Sequence, residues 1–174
     1  MLKGIYCMNR CIAMIVWNES YLLLIERKKY PYGFALPGGH LEENENYKDA
    51  GRRELKEETG LNAVKLKYIL EDVIYDNGRV CSKGSDEPHI CKVYRAFYEG
   101  SLKLNKKETK SIGWYSMLEL YDLALKTNNY LDKLITEKEW ENSPGVVPVC
   151  YKWFVELGIL GSGYNFYKKR KIFI

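Results

Sequence analysis

Residues 37–61, PGGHLEENENYKDAGRRELKEETGL, form the stretch of sequence from which the fold and the chemistry are predicted. This stretch carries seven carboxylates and four basic side chains among 25 residues, and glycines stand near both of its ends. Like charges at helical spacing repel one another. The segment therefore needs compensating positive charge, either from its own lysines and arginines or from a metal ion.

The spacing of the carboxylates predicts a helix with an acidic face. No proline interrupts residues 46–58, and Gly60 stands where a left-handed C-terminal cap is favoured. On this helix Glu54, Glu57 and Glu58 share one face, and each like-charge pair at ~4 Å costs from about 1 kcal/mol in water to ~4 kcal/mol near a low-dielectric surface. Oxygen ligands without a soft donor suit hard divalent cations such as Mg²⁺ or Mn²⁺.

The alternative interpretation is a charged solvent face in which Arg52, Arg53 and Lys56 neutralise the acids. The glycine pair before the helix favours the metal. Gly38 and Gly39 permit a close approach of the main chain to a ligand, so that a backbone carbonyl can join the carboxylates.

The order of residues in this segment resembles the Nudix box of the Nudix hydrolases. The matching pattern is Gly39, five residues, Glu45, seven residues, Arg53-Glu54-Leu55, one residue, Glu57-Glu58, one residue and Gly60-Leu61. The flanking sequences YGFALPGGHLE and IGWYSMLEL are also similar to those of the family. The resemblance implies an α/β Nudix fold, with a mixed β-sheet sandwiched between α-helices, and hydrolysis of a nucleoside diphosphate linked to another group.

The resemblance also implies roles for individual residues. The glutamates matching Glu54, Glu57 and Glu58 bind the divalent metal, which we expect to be Mg²⁺ with Mn²⁺ as the alternative. The carbonyl matching Gly38 completes that site. Further residues support it: the glutamate matching Glu45 pairs with the arginine matching Arg53 and orients the helix, while Gly39 and Gly60 bracket it.

The general base is not fixed by the box. Members of the family use either the residue matching Glu54 or a distant glutamate. Glu108, six residues before Trp114, resembles such an acid by position and is the favoured additional ligand or base, ahead of Glu99, Glu87 and Asp86. No residue is assigned to substrate binding.

The remaining sequence predicts one domain over residues 1–174, with a helical C-terminal extension over about 121–174. Alternating or apolar runs predict strands, and a capping box at Ser116 and Glu119 predicts a helix that breaks at residues 127–129. The strands are predicted at 11–17, 21–27, 63–75, 89–100 and 111–116. The loop after the third strand is predicted to contain, in part, a hairpin turn at 76–78. The helices after the box are predicted at 117–125, 130–135 and 147–158.

Composition limits the partners and the compartment. The net charge of +4 arises from 27 basic and 23 acidic residues that are mostly mixed, and the one basic cluster, KKRK at 168–171, is short. We therefore expect neither a membrane nor a nucleic acid as the partner. The family resemblance implies a small nucleotide, and a homodimer stays open. The apolar run at 12–17 is too short for an export signal, so the five cysteines are expected to be reduced in the cytoplasm. Cys7 and Cys11 lack a second pair at metal-site spacing, so structural zinc is not expected.

Three functions stay in competition. The leading one is a Mg²⁺-dependent pyrophosphohydrolase that cleaves a nucleoside triphosphate or a related small nucleotide by attack of water at phosphorus. The alternatives are an RNA 5′-end pyrophosphohydrolase and a non-catalytic nucleotide-sensing domain. The chain keeps every glutamate of the box, which favours catalysis.

Overall fold

The computed structural model describes residues 7–75, 81, 83–107 and 109–161. These residues contain strands and helices in an α/β arrangement, as predicted. In chain order they are β1 (Arg10–Asn18), β2 (Tyr21–Arg27), β3 (Phe34–Ala35), β4 (Gly38–His40), α1 (Tyr47–Thr59), β5 (Asn62–Ile74), β6 (His89–Glu99), β7 (Thr109–Tyr115), α2 (Met117–Leu131), α3 (Glu137–Asn142) and α4 (Pro148–Glu156). The predicted turn at 76–78, Glu108 and the basic cluster at 168–171 lie outside the described residues.

The described residues form two compact units, one from 7–16 with 37–103 and one from 17–36 with 104–161. In the first unit β6 pairs antiparallel with β5 and parallel with β1, and β1 pairs antiparallel with β4. This sheet is therefore mixed. Its buried side chains include Ile12, Met14 and Val93, which supply much of the apolar core.

Helix α1 is the predicted acidic helix, with the predicted cap at Gly60 and a further cap at Asn46. The side chain of Asn46 accepts hydrogen bonds from the backbone N–H groups of Lys48 and Asp49, both at 3.0 Å. Gly60 adopts φ 78° and donates its N–H to the carbonyl of Lys56. Leu55 is fully buried, so the helix buries an apolar stripe, whereas Glu57 is exposed and Glu54 and Glu58 are partly buried.

Glycine at position 51 lets α1 lie close to the sheet. A Cβ atom there would come within 2.8 Å of the Ile12 Cδ1 atom and 3.1 Å of the Leu66 Cδ1 atom. Helix-interior glycine costs about 1 kcal/mol relative to alanine. The close approach gives the physical reason for tolerating this cost.

Gly38 and Gly39 lie in a strand, although glycine pairs that follow a proline favour a break in regular structure. They form most of β4, where Gly38 lies opposite Ala13 and Gly39 lies opposite Ile12 on β1. A Cβ atom on Gly38 would lie only 2.0 Å from the carbonyl oxygen of Ile12. The glycines thus allow a close strand pairing that a residue with a side chain would block.

In the second unit β2 pairs antiparallel with β3, with β7 and with the last two residues of β1. The predicted break after Lys126 is wrong, because α2 continues to Leu131. Thr127 is fully buried, and its hydroxyl donates to the carbonyls of Leu123 and Val146 at 3.0 and 2.7 Å. These bonds satisfy the polar side chain inside the helix.

The other helices of this unit give a mixed outcome. Helix α4 was predicted and ends near Gly158, which has φ 67°. Helix α3 was not predicted, although Thr136 and Glu139 form a capping box at its start. None of the helices in the described part of the chain combines the length and the hydropathy needed to cross a lipid bilayer.

Candidate active site

The acidic face of α1 lies against the glycines of β4. The Gly38 N–H donates to the Glu58 Oε2 atom at 2.8 Å. A Cβ atom on Gly39 would lie 2.4 Å from the Glu54 Oε1 atom, so this carboxylate occupies the space that the missing side chain leaves. The structure therefore brings together four of the predicted site residues, Gly38, Gly39, Glu54 and Glu58, within the first unit.

Arg53 connects the acidic face to the preceding loop. Its Nε and Nη2 atoms donate to the two carboxylate oxygens of Glu45 at 2.9 and 2.8 Å, which is the pairing that the sequence analysis expected. The Nη1 atom donates to Glu54 at 2.8 Å and to Glu57 at 3.4 Å. The Nη2 atom also donates to the carbonyl of His40 at 3.0 Å. One guanidinium thus fixes the loop, β4 and two acidic side chains relative to one another.

The three basic side chains of the helix differ in what they contact. Arg52 pairs with Asp49 at 3.1 Å, and Lys56 donates to the carbonyl of Gly60 at 3.1 Å. Arg53 is the one of the three whose guanidinium bonds to Glu54 and Glu57. A basic side chain therefore does neutralise part of the acidic face, as the interpretation of a charged solvent face required. Among Arg52, Arg53 and Lys56 this contact is made by Arg53.

The pKa values of Glu45 and Glu54 are shifted in opposite directions, which distinguishes the residue that supports the helix from the residue at the metal site. The hydrogen bonds from Arg53 lower the pKa of Glu45, so that this carboxylate is held in its charged form. Burial raises the pKa of Glu54 although the bond from Arg53 acts in the opposite direction. Glu54 is therefore a largely buried carboxylate whose negative charge is incompletely compensated, a situation that an added cation would relieve.

The distant acids are placed less clearly. Glu99 is exposed at the end of β6, opposite Asn62, and Asp86 and Glu87 are exposed in the segment before β6. Glu108 lies outside the described residues. Its role as a ligand or base, and the choice between it and Glu54, stay predictions.

A second cluster of metal-ligand residue types was missed by the sequence analysis. Cys7, His40, Cys81 and His89 each offer one ligand atom, and these four atoms all lie within 4.8 Å of one another. The pattern of Cys7 and Cys11 had drawn attention to the wrong partner. Since the other three residues are between 33 and 82 positions from Cys7, no local spacing could have revealed the group.

Comparison with known proteins gives a family match over most of the chain. The family model described as "NUDIX domain" matches residues 8–137. An ADP-ribose pyrophosphatase of Methanocaldococcus jannaschii is 49% identical over 58 residues, which are 32% of this chain and 34% of that protein. A putative 8-oxo-dGTP diphosphatase of Bacillus subtilis is 34% identical over 104 residues, 59% of this chain and 63% of that protein. The matches thus span from about a third to under two thirds of the relatives' lengths.

A solved structure supports the same fold. A hydrolase of the NUDIX family from Clostridium perfringens has a TM-score of 0.57 and 20% sequence identity, and the match covers 85% of this chain and 94% of that one. At this identity the likeness shows the fold, which is the mixed-sheet α/β fold that the sequence predicted.

Proposed function

The chain belongs to the NUDIX domain family of hydrolases that act on phosphoric anhydrides, and we propose that it is a Mg²⁺-dependent pyrophosphohydrolase of a small nucleotide. The substrate is a nucleoside diphosphate linked to another group, with a nucleoside triphosphate as the first candidate. The observation that carries this proposal is the acidic face of α1 lying against Gly38 and Gly39 of β4.

The donor atoms at this face fit a hard divalent cation. Glu54, Glu57 and Glu58 offer carboxylate oxygens only, and the partly compensated charge of buried Glu54 favours a cation beside it. These three residues, with the carbonyl of Gly38, would hold the metal. When bound, Mg²⁺ supplies charge screening and Lewis acidity at the pyrophosphate and lowers the pKa of a water molecule. Mn²⁺ offers the same chemistry to the same oxygen donors.

Residues of the chain position the reacting groups and accept the proton that the attacking water releases. Water adds to phosphorus, the bridging P–O bond breaks and the phosphate leaving group takes its electron pair, while a carboxylate accepts the proton from the water. Among the described residues Glu54 is the candidate for this role, because its carboxylate lies against Gly39 of β4, beside the other acids of α1. Glu108 is the competing base. Arg53 acts as a positioning residue that aligns Glu54 and Glu57.

The names of the relatives narrow the substrates to be tried first. One relative is named for ADP-ribose and another for 8-oxo-dGTP. Both compounds contain the nucleoside diphosphate that the proposal requires. Residues 62–87 hold no proline, however, whereas the Nudix hydrolases of ADP-ribose are associated with a proline downstream of the box. This favours a nucleoside triphosphate over ADP-ribose.

A mass-resolved product screen tests the proposal. Purified protein with Mg²⁺ is incubated with nucleoside triphosphates including 8-oxo-dGTP, and with ADP-ribose, nucleotide sugars, NADH, dinucleoside polyphosphates and 5′-triphosphate RNA. We expect a nucleoside monophosphate product from at least one small nucleotide. Product masses in H₂¹⁸O then identify the phosphorus that water attacked.

Two variants of α1 serve as the matched comparison. Glu57→Gln removes one exposed carboxylate of the acidic face, and Asp49→Asn removes an exposed carboxylate that pairs with Arg52 on the same helix. We expect Glu57→Gln to lower kcat/KM by ~10³-fold and Asp49→Asn to retain turnover. Equal turnover in the two variants would refute the metal-site assignment. Turnover of RNA alone would move the substrate to an RNA 5′ end, and tight nucleotide binding without any turnover would favour a sensing domain.

A cytoplasmic location forms part of the same proposal. None of the five cysteines, all of which lie among the described residues, forms a disulfide, a state that a reducing compartment maintains.

A further inference from the structure

One end of the sheet in the first unit gathers side chains that are far apart in sequence. Strands β1 and β6 are parallel and both begin at this end, and β4, antiparallel to β1, finishes there. Cys7 precedes β1, His89 is the first residue of β6 and His40 is the last residue of β4. Cys81, in the connection between β5 and β6, completes the group, which we call the Cys–His cluster.

The distances within the Cys–His cluster are close to those around a single metal ion. The Cys7 Sγ atom lies 3.1 Å from the His89 Nε2 atom and 3.6 Å from the Cys81 Sγ atom. The rings of His40 and His89 meet edge to face with their centroids 4.9 Å apart. In a tetrahedral zinc site the ligand atoms are about 3.3 to 3.8 Å apart, given Zn–S and Zn–N bonds of about 2.3 and 2.0 Å. The widest separation here, 4.8 Å, exceeds this range by about 1 Å.

We propose that Cys7, His40, Cys81 and His89 bind one structural Zn²⁺ ion, separate from the carboxylate site on α1. Two sulfur and two nitrogen donors are a ligand set that selects zinc over Mg²⁺ or Ca²⁺. Four protein ligands fill the tetrahedral coordination of zinc and leave no position for substrate. The role is therefore structural rather than catalytic.

Backbone N–H groups around Cys81 point at its sulfur atom and would hold it in place as a zinc ligand. The N–H groups of Lys83 and Ser85 each donate to the Cys81 Sγ atom at 3.4 Å. The turn is closed by a bond from the Cys81 N–H to the Ser85 carbonyl at 2.7 Å and by one from the Gly84 N–H to the Cys81 carbonyl at 2.9 Å. Gly84 has φ +83°, which suits glycine. Two amides aimed at one sulfur are the outer-shell support that metal thiolates use.

Burial gives the cluster both a protected interior and a route of entry. Cys7 and His89 are 4% and 5% exposed, whereas His40 and Cys81 are partly exposed. The ion would tie the segment before β1 and the connection before β6 to the end of β4. Since the His40 carbonyl accepts a bond from Arg53, the ion would also fix one of the groups that Arg53 holds.

Metal analysis of tag-free full-length protein tests this proposal without reference to turnover. The protein is purified in the presence of a reductant, dialysed against metal-free buffer and measured by inductively coupled plasma mass spectrometry. We expect about one zinc ion per chain in the wild type and less than about a tenth of that in Cys81→Ser. A wild-type zinc content below about a tenth per chain, even after incubation with equimolar zinc, would overturn the proposal.

Cys11→Ser is the matched control, because Cys11 lies at the register position opposite His40 but outside the cluster. We expect it to keep its zinc. Loss of zinc in Cys11→Ser together with retention in Cys81→Ser would assign the metal to other ligands. An intact mass two hydrogens below that of the reduced chain, with a cross-linked peptide that contains Cys7 and Cys81, would identify a disulfide between them and would likewise overturn the zinc assignment.

Cobalt substitution of the wild type keeps the proposal testable if Cys81→Ser does not fold. The zinc is exchanged for Co²⁺, which absorbs visible light strongly in a tetrahedral site. We expect these bands together with near-ultraviolet thiolate-to-cobalt charge transfer, and we expect an equimolar amount of zinc to remove both. Weak octahedral bands without charge transfer would show that the cysteines are not ligands.

Discussion

The carboxylates of α1 and the Cys–His cluster differ in how the chain assembles them. Glu54, Glu57 and Glu58 lie within five residues on one helix, whereas the Cys–His cluster draws on four separate segments. The donors differ as well, since one group offers only oxygen and the other offers sulfur and nitrogen. A site formed by helical periodicity can therefore be recognised in the sequence, whereas a site formed by the register of separate strands cannot.

The largest expected effects come from removing one ligand of each group. Glu57→Gln should lower kcat/KM by ~10³-fold, because it removes a carboxylate that would hold the metal, while zinc content stays unchanged. Cys81→Ser should lose the zinc but keep kcat/KM within about tenfold of the wild type, since the zinc ion would affect turnover only by positioning His40. Steady-state kinetics and metal analysis on the same samples measure both. A variant that loses zinc and turnover to the same extent would show that the two groups are one site.

A smaller loss of activity is expected when the carboxylate of Glu54 is displaced than when a carboxylate of the acidic face is removed. In Gly39→Ala the new Cβ atom would lie 2.4 Å from the Glu54 Oε1 atom and must push the carboxylate aside. We expect kcat to fall by ~10²-fold, as displacements of about 1 Å can cost that much.

Gly113→Ala is the control for this substitution, because its Cβ atom would meet Tyr115 at an ordinary 3.4 Å. Unchanged kinetics in Gly39→Ala would contradict the placement of Glu54 beside β4.

Arg53→Ala tests whether a single guanidinium compensates the negative charge of the acidic face. The substitution leaves Glu45 and Glu54 partly buried without their charged partner, so the free energy of unfolding should fall by about 2 to 3 kcal/mol. Arg52→Ala, on the exposed side of the same helix, should cost no more than about 0.5 kcal/mol. Urea unfolding measures both values. Equal losses would mean that Arg53 is a surface cation like its neighbour.

The smallest effect is a dependence of stability on pH. Because burial raises the pKa of Glu54, the folded chain binds this proton more tightly than the unfolded chain, and ionisation of Glu54 destabilises the fold. The favourable contribution is complete below the ordinary glutamate pKa of about 4.3 and is lost as pH rises through the raised pKa. Without added divalent metal, Glu54→Gln should therefore have a higher Tm than the wild type at neutral pH.

This difference in Tm should shrink as the pH approaches about 4. Differential scanning calorimetry across this range, with and without Mg²⁺, measures the change. Added Mg²⁺ should raise the Tm of the wild type more than that of the variant. A lower Tm of Glu54→Gln at neutral pH would show that Glu54 is stabilised as an anion in the absence of metal.

The sequence predicted those parts of the molecule that depend on near neighbours. The cap residues Asn46 and Gly60 bound α1 within a residue of the prediction, and the capping box at Ser116 marked the start of α2. The acidic face followed from the helical period alone. The capping box at Thr136 carried the same kind of signal for α3 and could have been used.

The parts that were missed depend on tertiary contacts. Thr127 favours a break by local propensity, but burial and two hydrogen bonds keep it in α2. Gly38 and Gly39 favour a bend, but close pairing with β1 makes them a strand. The Cys–His cluster exists because β1, β4 and β6 end together, which no pattern in the separate segments reveals.

His40 belongs to the Cys–His cluster and also contacts Arg53 of the acidic helix, through different atoms. Its imidazole lies in the Cys–His cluster, while its main-chain carbonyl accepts the bond from Arg53. Every residue type carries a carbonyl, so an inherited change at position 40 can delete the imidazole without deleting the bond to Arg53. A lineage of this protein could therefore gain or lose the sulfur–nitrogen site by point mutation, while the carboxylate site stays under its own separate selection.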